Sequence, residues 1–174
     1  MRTFVMIILS VFAFFAHVLL SPLIGIFGAK IDFITLNLVS LAFFTKKWYP
    51  PVLAGVYSGI LVDITTQAST YINTGIYLAL AGLTVIAVKI IKENSYMLYI
   101  LFVFGAVCVK HFALIFVLYI MRLSENASIM TFIYGLPSAL YTAAISAGVY
   151  FIIKKIFSFN FMQENPVDHN KYVL

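Results

Sequence analysis

The sequence predicts an all-α integral membrane protein with six transmembrane helices and both termini in the cytoplasm. Three observations lead there. Of its 174 residues, 63% are hydrophobic and only 10% are charged, whereas a soluble domain of this length carries about a quarter charged residues. The apolar runs follow one another so closely that no room is left for a soluble domain. The basic residues also alternate. Arg2, Lys46, Lys47, Lys89, Lys92, Lys154, Lys155 and Lys171 flank one set of segment ends, and only Lys30 and Arg122 flank the other. Such a bias places the richer side in the cytoplasm.

Residues 3–27 form the first apolar segment. Arg2 precedes it in the manner of a signal peptide, but the run is longer than a signal peptide's apolar core, so it reads as an uncleaved helix. Residues 31–44 form a second, short segment, which needs its flanks to cross a hydrocarbon layer of about 30 Å. Asp32 opens it, favourably placed against the helix dipole, and Lys46, Lys47 and Trp48 close it as an interfacial anchor. Pro50 and Pro51 start the third segment, over 50–66, since proline is tolerated in a first helical turn. A polar, uncharged linker from Thr65 to Gly75 follows. The fourth and fifth segments cover 76–91 and 96–121. The sixth covers 129–157, with Pro137 marking the start of its helix. Residues 1–157 thus make one membrane domain, and the polar stretch 158–174, with Pro166 and no periodicity, reads as a flexible cytoplasmic tail.

The stretch most suggestive of a specific role is Gly55-Val-Tyr-Ser-Gly59-Ile-Leu-Val-Asp63. At four-residue spacing its glycines and its aspartate share one helix stripe. Bare backbone at Gly55 and Gly59 allows another helix to approach closely, and Asp63 faces that neighbour rather than lipid. Ala139, Ala143 and Ala147 make a second small-residue stripe. Counting about 1.5 Å per residue, His17, Asp63 and Lys110 lie roughly 18–21 Å along their helices, at matching depth. With His111 they form a candidate intramembrane polar network, in which Asp63 and Lys110 are expected to neutralise each other.

Other classes of chemistry find no support in the sequence. The histidines His17, His111 and His169 lack ligand spacing, and Cys108 is the single cysteine, so neither a metal site nor an internal disulfide is indicated. Neither an activated nucleophile nor a phosphate-binding glycine loop is present, and no cofactor is expected. The net charge of +5 is explained by topology and does not point to nucleic acid.

From Ile31 to Leu80 the chain resembles the bacterial rod shape-determining protein MreD family. Asp32 opens an apolar run that ends in Thr45-Lys46-Lys47-Trp48, and Gly59, Asp63 and Gly75 match a Gly-x-x-x-Asp helix followed by a glycine-containing turn. Where that family commonly has proline before the aspartate, this chain has Ile31. The resemblance implies a non-enzymatic inner-membrane component of the cell-elongation machinery that supports peptidoglycan synthesis. The partners it implies are membrane lipid, the scaffold protein MreC, MreB filaments and peptidoglycan synthases. Gly55, Gly59, Asp63, Gly75, Ala139, Ala143 and Ala147 would then be packing or partner contacts. The competing reading is a substrate-binding subunit of an energy-coupling-factor vitamin transporter, also of six helices. There the Thr65–Gly75 linker would gate a pocket with Asp63 and Lys110 at its floor. A third reading is a proton-coupled carrier using Asp63, Lys110 and His111.

Overall fold

A computed structural model describes residues 2–25, 28–45, 47–66, 71–90, 95–121 and 125–159. All its regular elements are helices, in the order α1 (Arg2–Phe15), a π-helical turn (Ala16–Leu20), α2 (Ser21–Leu23), α3 (Phe33–Thr45), α4 (Tyr49–Thr65), α5 (Ile72–Ile90), α6 (Tyr96–Ile120) and α7 (Glu125–Phe157). Four stretches are long and apolar enough to cross a membrane: Thr3–Leu23, Ile72–Ile90, Tyr96–Ile120 and Ile133–Phe157. They suggest a membrane protein.

The other two predicted crossings are shorter. At 13 residues, α3 is only about 20 Å long, well under a hydrocarbon layer of roughly 30 Å. It is also the centre of the bundle, packed against α1, α4, α5, α6 and α7. Ile34, Leu38, Val39, Leu41, Ala42 and Phe43 are all buried, and so are Thr35, Asn37, Ser40 and Thr45. A helix enclosed on every side needs no single apolar face, but its polar groups need partners. Those partners are present. The Asn37 side-chain amide donates to Ser10 Oγ, Ser40 Oγ bonds the Tyr99 hydroxyl at 2.7 Å, and Thr45 Oγ1 donates to the Leu41 carbonyl. Around one end of α3, Phe43, Phe44, Tyr99, Tyr150 and Phe157 form a continuous set of ring contacts.

Several boundaries differ from the sequence expectation, each for a physical reason. The first segment is not a uniform α-helix. Pro22 cannot donate to Val18, and its ring would collide with that carbonyl. The chain widens into the π turn just before it, with Ser21 N donating to the Ala16 carbonyl. Helix α5 begins at Ile72 and takes in Asn73, Thr74 and Gly75, which the composition assigns to a linker. Helix α7 does not start at Pro137 but runs through it; the proline leaves the Ile133 carbonyl without its helical donor, which a long apolar helix can absorb. Residues 160–174, and with them most of the expected tail, lie outside the described residues.

Before α3, residues 28–32 are not helical. Gly28 has φ 82°, a left-handed value that glycine adopts without strain, and a side chain there would collide with the Tyr134 ring. Ala29, Ile31 and Asp32 are buried. Backbone inside a protein must find hydrogen bonds, and here side chains of two helices supply them. Lys30 N donates to Ser138 Oγ at 3.1 Å, Asp32 N donates to Thr142 Oγ1 at 3.0 Å, and the Ile31 carbonyl accepts from Ser21 Oγ at 2.8 Å. Ser138 and Thr142 are one helical turn apart on α7, so their hydroxyls form a track for this segment.

Candidate functional site

Two aspartates organise the interior, and each one caps a helix. Asp32 is the N-cap of α3. Its Oδ1 accepts from Thr35 N at 3.0 Å and its Oδ2 from Thr35 Oγ1 at 2.7 Å. This satisfies one of the orphan donors of the first helical turn. Lys110, just past the middle of α6, reaches the same Oδ2 and forms an ion pair with it. The buried ring of Tyr77, from α5, stands beside that lysine with its centroid 5.7 Å from Nζ. His17, on the π turn, places Nδ1 3.8 Å from Asp32 Oδ1. One carboxylate therefore ties together the first helix, α3, α6 and, through its backbone N–H, Thr142 of α7.

Asp63 does comparable work at the other junction. It lies at the end of α4, yet it caps α5. Its Oδ1 accepts from Asn73 N at 3.1 Å and Asn73 Nδ2 at 2.9 Å; its Oδ2 accepts from Thr74 N at 2.9 Å and Thr74 Oγ1 at 2.7 Å. Four donors occupy the carboxylate. The glycine stripe explains how α5 gets close enough. A Cβ on Gly59 would sit 2.5 Å from Thr74 Cα, and one on Gly55 would sit 2.8 Å from the Tyr77 carbonyl oxygen. Only bare backbone fits there. We expect Asp63→Ala to cost about 2 kcal/mol, the upper end of the range for losing a cap, and to fray the start of α5. Hydrogen exchange should show it as faster exchange at Asn73 and Thr74, with little change in α6.

The expected Asp63–Lys110 pair is therefore corrected. Lys110 pairs with Asp32, and Asp63 spends its acceptors on the start of α5. Matching depth did not distinguish two carboxylates, and Asp32 reaches Lys110 from the buried, non-helical residues that lead into α3. His17 and Lys110 do converge, but on Asp32. His111 packs against Gly135 of α7, where an added Cβ would lie 3.2 Å from the His111 side chain. The Nδ1 atoms of His17 and His111 are buried and have no hydrogen-bond partner among the described residues.

Gly75, expected as a packing or partner contact, makes no close approach within the described residues. A Cβ there meets nothing within 4 Å, and the residue borders a groove of about 410 Å³ between α5 and α6 that Lys110 also touches. Of the alanine stripe, Ala139 and Ala143 are buried, and the Ala147 carbonyl accepts a 3.4 Å bond from the Tyr96 hydroxyl. The residues that sequence reasoning missed are Ser138 and Thr142. Their signal is a four-residue spacing directly beside the alanines, where hydroxyls read as small residues rather than as hydrogen-bonding groups. No family model, curated protein or solved structure matches the chain.

Proposed function

We propose that this chain is a non-enzymatic component of the bacterial cell-elongation machinery, of the MreD kind. In this reading it crosses the inner membrane six times, with both termini in the cytoplasm. The observation that carries the reading is the α4–α5 junction. Gly59 and Asp63, two of the residues on which the resemblance rests, act on the same turn of α5: one admits its backbone and the other caps it. A short motif of mostly apolar residues is weak as a string. It carries more weight when its members serve one piece of geometry. Asp32, the other aspartate of the resemblance, likewise has a defined task, as cap of α3 and partner of Lys110.

The role is that of a rigid helical platform. Its helix faces would engage the scaffold MreC, and through it MreB filaments and peptidoglycan synthases. Topology follows from the alternation of basic residues along the sequence. Asp63 and Lys110, which would share a pocket floor in the transporter reading, bond to different partners.

The test is depletion of the gene in its native cell, together with capture of the tagged protein from solubilised membranes. Rounded cells and co-purified MreC are expected. Cells that keep their shape, and a protein that retains a vitamin instead of MreC, would refute the reading.

A further inference from the structure

We propose that His17 is a second, proton-operated partner of Asp32, able to take over its charge from Lys110. Three observations meet here. The Nδ1 of His17 is buried and has no hydrogen-bond partner among the described residues, an arrangement that native interiors rarely leave unexplained. That same atom points toward Asp32 Oδ1 from 3.8 Å, about 1 Å beyond a charge-assisted hydrogen bond. Finally, the histidine sits on the π turn Ala16–Leu20, a rare helical geometry that recurs at functional sites.

The acceptor is available. Among the described residues, Asp32 Oδ1 receives one hydrogen bond, from Thr35 N–H, while Oδ2 receives both Thr35 Oγ1 and Lys110. With a proton on Nδ1, His17 can close on Oδ1 without displacing the Thr35 or Lys110 bonds to the carboxylate. The charged and titratable groups around it are Asp32 and Lys30, on the non-helical residues before α3, and Lys110 on α6, with the Ile31 backbone beside them. His111 of α6 and Tyr77 of α5 face Lys110 and Asp32 in turn. From α7 the cluster receives the Thr142 hydroxyl. Among the described residues, His17 and Lys110 are the two that bring a cation-forming nitrogen within 4 Å of the carboxylate, and of these two side-chain types histidine is the one that switches charge on mild acidification. The consequence is an acid-sensitive tie between the first helix and the Asp32–Lys110 pair.

The test is the thermal midpoint of the purified full chain in detergent at pH 8 and at pH 5.5. Lys110→Met strips Asp32 of its main cation and should lower the midpoint at pH 8. At pH 5.5 the loss should shrink by about 5 °C as His17 takes over. The double variant H17Q/K110M should show no such recovery, whereas H111Q/K110M should keep it. Recovery that persists in H17Q/K110M would mean that Asp32 itself takes up the proton, and would overturn the proposal. Should K110M fail to accumulate, histidine ¹⁵N spectra of the wild type decide instead. On acidification His17 Nδ1–H should show a carboxylate hydrogen bond that D32N abolishes, and a His17 signal identical in wild type and D32N would equally overturn it.

Discussion

Gly59→Leu is expected to abolish folding of the α4–α5 hairpin. The obstacle is backbone, since even the first carbon of a side chain at this position would come within 2.5 Å of Thr74 Cα and 3.0 Å of Thr74 N. No rotamer change relieves such a contact. The two helices must separate, and that withdraws Asn73 and Thr74 from the Asp63 carboxylate. Overpacking and loss of a cap then add together, for a cost of at least about 3 kcal/mol. The check is accumulation in the membrane and a monodisperse size-exclusion profile, both of which should be lost. Gly82→Ala and Gly105→Ala serve as controls. A Cβ at either position meets nothing within 4 Å, and alanine favours a helix by up to about 1 kcal/mol over glycine. Those variants should match or exceed the wild type.

Removing Lys110 is the second large effect. Asp32 is buried, and Lys110 is its closest cation. Two charges taken out of water together are tolerable, but one left alone is not. Breaking such a pair costs about 3–5 kcal/mol, more than replacing both members. Lys110→Met alone should therefore accumulate poorly and unfold at lower denaturant concentration. Asp32→Asn should behave similarly, because it leaves the ammonium of Lys110 unpaired beside Tyr77. The amide can still accept from Thr35 N, so the cap on α3 survives in that variant and the loss reports chiefly on the charge.

How much of this was legible beforehand differs from element to element. The α6 limits, Tyr96 to Ile120, could be read almost to the residue, since an unbroken apolar run is the plainest signal a membrane helix gives. The contact face of α4 was also visible, because glycines four residues apart with a carboxylate on the same stripe leave few alternatives. The start of α5 was not. Asn73, Thr74 and Gly75 have turn chemistry, and what makes them helical is a carboxylate ten residues upstream on a different helix. Lys110's partner was hidden for a related reason. Depth along a helix is a one-dimensional measure, whereas Asp32 arrives on a buried, non-helical segment held by Ser21, Ser138 and Thr142. Such a segment shows in sequence only as a short apolar run preceded by a glycine and an aspartate. Pro137 misled because proline usually begins a helix, and here α7 carries it inside.

The central claim is the assignment of the two aspartates, with Asp32 the partner of Lys110 and Asp63 the cap of α5. A double-mutant cycle separates it from the alternative most directly. Denaturant unfolding of D32N, D63N, K110M and the doubles D32N/K110M and D63N/K110M gives two coupling energies. The account predicts that D32N/K110M recovers about 1–3 kcal/mol relative to the sum of its single variants, and that D63N/K110M is additive to within about 0.5 kcal/mol. Strong coupling of Asp63 to Lys110, with additivity at Asp32, would contradict it.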